Sequence, residues 1–77
     1  MMTELDQLGL PRNETRVYQA LLRLGSAKAG KLAKIAEVER TSTYNALQGL
    51  LAKGLASYVI IGKIRWFQPA PPERLVE

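Results

Sequence analysis

The residues most able to do chemistry lie in one run, Glu39 to Gly49, "ERTSTYNALQG". Three hydroxyls, Thr41, Ser42 and Thr43, stand between Arg40 and Tyr44, and Asn45 and Gln48 follow. An α-helix turns by about 100° per residue. With Leu47 and Leu51 on the core side, Thr41, Ser42, Asn45, Gln48 and Gly49 face outward, Thr43 faces inward and Tyr44 lies at the boundary. The outward residues are short or polar, and none is acidic. Asn and Gln pair bidentately with adenine, Ser and Thr bond bases or phosphates, and a Thr methyl meets the thymine methyl. The start of such a helix adds the positive end of a dipole, which suits phosphate. A plainer reading makes Thr41 or Ser42 an N-cap and the rest a solvated face. Capping accounts for one or two hydroxyls, but not for an uncharged surface that continues to Gln48. Arg40 has three open uses: a phosphate, a guanine, or a pair with Glu37 or Glu39. Tyr44 fits either the edge of the core or a phosphate contact.

Composition narrows the alternatives. The 77 residues include no Cys and no His, so the commonest general base and the commonest metal ligands are missing. The seven carboxylates form no motif, and no Gly-rich phosphate loop occurs. An enzyme is not expected, nor a cofactor, a metal or a small-molecule site. Neither base-stacking aromatic motifs nor a GXXG loop favours RNA. No apolar run approaches the ~20 residues of a membrane span. Glu4 and Asp6 stand where a signal peptide would be basic, so the expected location is the cytoplasm, at the nucleoid.

The net charge of +4 is unevenly placed. Residues 16–68 hold nine Lys/Arg against Glu37 and Glu39 alone, a net of +7, whereas both ends of the chain are net acidic. A basic middle suits a polyanion.

The elements that position these groups can be read from periodicity. One domain, 1–77, is expected. Val17, Ala20, Leu21 and Leu24 recur at helical spacing over 11–24, with Pro11 opening the helix and Gly25 stopping it. Leu32, Ile35 and Ala36 mark a short helix over 29–37, with Lys34 pointing away from that stripe and Lys31 on its flank. Ser26 to Lys28 could pair as an edge strand. Leu47, Leu50 and Leu51 mark a helix over 40–53, stopped by Gly54. Only a few residues, from Glu37 to Glu39, separate the last two helices, which is helix-turn-helix spacing, although the turn lacks its usual Gly. The period then becomes that of strands over 56–68, with Gly62-Lys63 as a two-residue turn of type II′. Residues 72–77 read as the start of a further helix. The fold class is therefore α+β, mostly α: a winged helix-turn-helix, with a three-helix core and a C-terminal β-hairpin wing.

Three stretches, "LGLPRNETRVYQALLRLG", "AGKLAKIAEVERTSTYNALQGLLAKGL" and "FQPAPPERL", resemble the N-terminal DNA-binding domain of TrmB-type transcriptional regulators, a largely archaeal family. The resemblance runs from Leu8 to about Leu75. It is carried by R-V-Y-x-A-L (Arg16 to Leu21), R-[ST]-x-x-Y-x-x-L (Arg40 to Leu47) and K-G-L (Lys53 to Leu55). Glu37 and Glu39 depart from the pattern, standing where Gly and Pro or Ser are common. The resemblance implies double-stranded DNA as partner, regulation of transcription, and a homodimer in the intact protein. Family members continue beyond this point into a dimerising helix and often an effector-binding domain.

On this reading the third helix enters the major groove and the hairpin lies on the flanking backbone. The expected DNA contacts are Arg40, Thr41, Ser42, Tyr44, Asn45 and Gln48 on the helix. Lys28 and Lys34 flank them, and Lys63 and Arg65 lie at the hairpin tip. The ordinary alternative for the tip is charge that blunts an exposed hairpin. Pairing across Gly62-Lys63 puts Val59, Ile61, Ile64 and Trp66 on one face, and Tyr58, Ile60 and Phe67 on the other. Both faces are apolar, and the first invites a dimer mate or another segment of the intact protein, unless the chain ends cover it. A rival function is a winged helix that docks proteins in a transcription or other nucleic-acid-processing complex. Against it stands the polar outer face of the third helix, where a protein-docking surface carries large apolar anchors.

Overall fold

The computed structural model describes residues 11–70. The expected further helix at 72–77 lies outside the described residues. Three helices come first: α1 (Arg12–Leu24), α2 (Ala29–Ala36) and α3 (Arg40–Ala52). An antiparallel hairpin of β1 (Ala56–Ile61) and β2 (Ile64–Pro69) follows. The expected winged helix-turn-helix is the observed architecture.

Each helix end has a local cause. Pro11 occupies the N-cap position of α1 (φ −58°, ψ 154°), so the helix starts one residue later than its pattern suggested. α2 ends at Ala36 rather than at residue 37. Glu37 adopts the left-handed conformation (φ 58°), its N–H bonds to the Lys34 carbonyl, and Val38 N–H reaches the Ala33 carbonyl at 3.0 Å. This is a Schellman cap with Glu where glycine is usual. The missing turn glycine is thus replaced by a strained Glu. α3 stops the same way with the expected residue. Gly54 (φ 76°) bonds to Leu51, and the buried Leu55 reaches back to the Leu50 carbonyl at 2.9 Å.

The core is built from Val17, Tyr18 and Leu21 of α1, Leu32 of α2, Leu47 and Leu50 of α3, and Phe67 of β2. Leu24, Val38 and Leu51 close its edges. Ile35 departs from expectation: it is exposed, and α2 buries Ala29, Leu32 and Ala36 instead. An eight-residue helix packed on α1, α3 and β2 hides only a narrow stripe, and Ile35 falls beyond it.

The hairpin pairs Ile61 with Ile64, Val59 with Trp66 and Tyr58 with Phe67, in the expected register. The turn differs from type II′. Gly62 (φ 59°) and Lys63 (φ 69°) are both left-handed, which is type I′. That turn matches the right-handed twist of the strands at the expense of a lysine in αL. Ala27 adds a bridge on the far side of β2, giving and accepting bonds with Phe67 at 2.9 and 2.8 Å. Among the described residues β1 is consequently the open edge. In this register the N–H and C=O of Tyr58 and Ile60 point away from β2.

Candidate nucleic-acid interface

Thr43 divides the hydroxyl run. It is fully buried, and its Oγ1 donates to the Glu39 carbonyl at 2.9 Å and lies 3.3 Å from that of Val38. The hydroxyl ties α3 to the turn before it. Neither Thr41 nor Ser42 caps the helix. Glu39 holds the N-cap position, with no side-chain cap bond, so Thr41 and Ser42 fall in the first turn. Thr41, Asn45 and Gln48 are exposed and Ser42 is half-buried. Tyr44 is 44% exposed, which settles it as a surface residue rather than core edge. Gly49 does not face outward as its angle suggested; it is half-buried against Glu14 of α1.

Beside Tyr44, α3 meets the start of α2 and the hairpin. There Lys28, Arg40, Lys63 and Arg65 converge on one cleft of about 370 Å³, with Tyr44 and Ile64 on its walls and no carboxylate lining it. Four cations from three parts of the chain thus share a concave surface next to the polar face of α3. Local structure places each one. Lys28 precedes α2, held by the Ala27 bridge to β2. Arg40 opens α3, and its guanidinium lies over the Cα of Gly30, where a Cβ would meet Nη2 at 3.5 Å. Among the described residues it forms no ion pair with Glu37 or Glu39, which leaves its charge facing the cleft. Arg65 lies on the face of β2 shared with Phe67, its Cζ 5.0 Å from the Tyr58 ring. Lys34 is exposed one turn further along α2 and does not line the cleft.

On the other side of α3, Ser42 and Asn45 border a shallower depression of about 200 Å³ with Pro11, Asn13 and Glu14. Glu14 was not singled out by sequence reasoning. It is 9% exposed and accepts a hydrogen bond from Lys53 Nζ at 2.5 Å. A mid-helix glycine at 49, costly unless something needs its missing Cβ, was the available signal.

The outer hairpin face is apolar, as its pattern implied. Val59, Ile61 and Ile64 are exposed, and Trp66 is half-buried beneath the Lys28 ammonium, 5.5 Å from the ring centroid. Ile60, on the inner face, is also exposed because it extends beyond the helices. Among the described residues no His/Cys/Asp/Glu group could hold a metal ion, and no helix is long and apolar enough to cross a membrane.

Comparison with known proteins gives a consistent picture. Residues 5–73 match the family model described as sugar-specific transcriptional regulator TrmB. The HTH-type sugar sensing transcriptional regulator TrmBL1 of Pyrococcus furiosus is 31% identical over the whole chain, which spans 22% of that protein's length. A MarR family transcriptional regulator from Silicibacter pomeroyi superposes with a TM-score of 0.81 at 28% identity, over 92% of this chain and 49% of that one. The AntR antimony-specific transcriptional repressor shares the fold, with a TM-score of 0.69 at 21% identity over 88% of this chain and 63% of that one.

Proposed function

This chain belongs to the TrmB family of sugar-specific transcriptional regulators, and from that premise we propose that it is the DNA-reading part of such a regulator. α3 enters the major groove of double-stranded DNA. Thr41, Ser42, Asn45 and Gln48 meet base edges, while Arg40, Tyr44, Lys28, Lys63 and Arg65 hold the adjoining phosphates. Lys34 adds a weaker, peripheral contact. Phosphate contacts set orientation and register, and base contacts set sequence. The observation that carries this reading is the acid-free cleft of four cations beside an uncharged polar helix face. A protein-docking face would offer aromatic or aliphatic anchors there, and α3 offers only Tyr44.

In the intact protein we place two such domains in a homodimer, reading half-sites about one helical turn (34–36 Å) apart. The location that follows is the cytoplasm, on the nucleoid. The domain acts as a binder rather than a catalyst.

Enrichment of duplexes from a random pool tests the reading directly. A recovered consensus and an affinity that falls steeply with salt, with log–log slope of about −0.9 per phosphate contact, are expected. Undetectable binding to any duplex at low salt would overturn it.

A further inference from the structure

Glu14 is an acid buried beside a surface that suits a polyanion. It lies in the first turn of α1, and its carboxylate rests on the Cα of Gly49, midway along the second half of α3. A Cβ on residue 49 would lie 2.7 Å from the carboxylate carbon and 3.3 Å from Oε1, with Oε2 closer still. No side chain at 49 is compatible with Glu14 in this position. Lys53, one turn beyond Gly49 on the same face, donates its ammonium to Oε1. Asn45, one turn before Gly49, borders the same depression as Glu14. One carboxylate is therefore seated against two successive turns of α3, beside the depression that Ser42 and Asn45 border.

Glycine in the interior of a helix is costly relative to alanine. Here its missing Cβ admits the carboxylate. The contact adds a polar restraint between α1 and α3 to the apolar one. Leu47 and Leu50 hold α3 to the core by apolar burial, which carries no directional preference. A carboxylate seated against a bare Cα and hydrogen-bonded at a second point adds a directional restraint on the roll and depth of α3. Base readout needs this constraint, since binding groups work within about 0.5 Å of their productive positions.

We propose that Glu14 is a positioning residue for sequence readout: through Gly49 and Lys53 it sets the roll and depth at which α3 presents Ser42 and Asn45 to the groove. The proposal rests on α3 being the recognition helix. Two consequences separate it from a structural role. Removing an acid beside DNA raises affinity for all duplexes alike, by simple electrostatics. Loss of positioning lowers only the preference for the correct sequence.

The test uses the duplex enriched by the parent protein and a random-sequence duplex, with thermal unfolding of each variant. Glu14→Ala and Gly49→Ala should each reduce the enriched-to-random affinity ratio by about tenfold, a loss of the size of one mismatched base pair. Random-duplex affinity should hold in both or rise in Glu14→Ala. The double variant should be no worse than either single one, since both remove the same contact. Glu14→Gln, which keeps the shape and one acceptor for Lys53, should retain most of the ratio. An unchanged ratio in folded Glu14→Ala, whatever its melting temperature, would overturn the proposal. So would a parallel loss of enriched and random binding. Absence of a preferred sequence for the parent protein would instead remove the recognition-helix reading itself.

Discussion

Thr43 donates its hydroxyl to the carbonyl of Glu39, the residue that occupies the N-cap position of its own helix. The same carbonyl accepts the Thr43 backbone N–H at 2.8 Å. A polar side chain is thereby consumed inside the molecule to hold the start of α3 against the turn. Its neighbours Thr41 and Ser42 are left to the surface. Thr43→Val keeps the shape and removes the donor. We expect a stability loss of about 1 kcal/mol, seen as a lower denaturant midpoint with an unchanged m-value, and unaltered DNA preference in the folded protein.

Base reading is predicted to sit at Asn45 and Gln48. Replacing either with Ala should relax preference at one base-pair position of the enriched duplex, with about 1–3 kcal/mol of discrimination lost there. Binding measured against all four bases at each position gives the answer. A Gln48→Ala protein with its full preference intact would place the reading face elsewhere on α3.

Lys63 offers a cleaner charge test than most surface lysines, because its backbone is left-handed. Alanine there would keep the left-handed strain that the lysine already carries. Asn tolerates the conformation and suits a type I′ turn. Lys63→Asn should lower affinity evenly across sequences and reduce the salt slope by about one, while the melting temperature holds or rises.

Glu37 carries the cap of α2 at a positive φ that glycine adopts without penalty. Glu37→Gly is expected to stabilise the domain by about 1 kcal/mol. For a domain of this size that raises the melting temperature by roughly 4–8 °C, readable by circular dichroism.

Leu50 is fully buried at the meeting of the helices, and its carbonyl anchors Leu55. Leu50→Ala should cost about 2–5 kcal/mol. In a domain this small that is enough to populate the unfolded state at room temperature, which exchange of core amides would register.

Much of this architecture is written in periodicity. The stripes of α1 and α3 and the pairing of Val59 with Trp66 follow from which residues shun water, and an apolar pattern states that locally. The features that escaped are relations between distant residues or choices between near-equal backbones. Glu14 and Lys53 stand 39 positions apart, and neither residue alone signals the other. Gly49 did carry a sign, being an expensive residue in a helix, but its partner could not be read. The turn at Gly62-Lys63 was ambiguous for another reason. Gly at the first position satisfies types I′ and II′ alike, and strand twist decided in favour of the one that strains Lys63. Ile35 fits a helical stripe, yet the packing partners of α2 determine how wide that stripe is. The convergence of Lys28, Arg40, Lys63 and Arg65 was only half visible. Each was legible as basic, while their sharing one cleft depends on the Ala27 bridge that brings α2 against the hairpin.

Among the described residues β1 has one unpaired edge, and it ties the behaviour of this domain in a test tube to its charge. Ser57 to Ile61 is uncharged, rich in strand formers, and free of the lysines, prolines and bulges that guard strand edges. A net charge of +4 opposes the approach of two copies. Electrolyte shortens the reach of that repulsion to about 8 Å at 0.15 M. The salt that releases the domain from DNA should therefore also make it turbid, and bound duplex should act as its solubiliser.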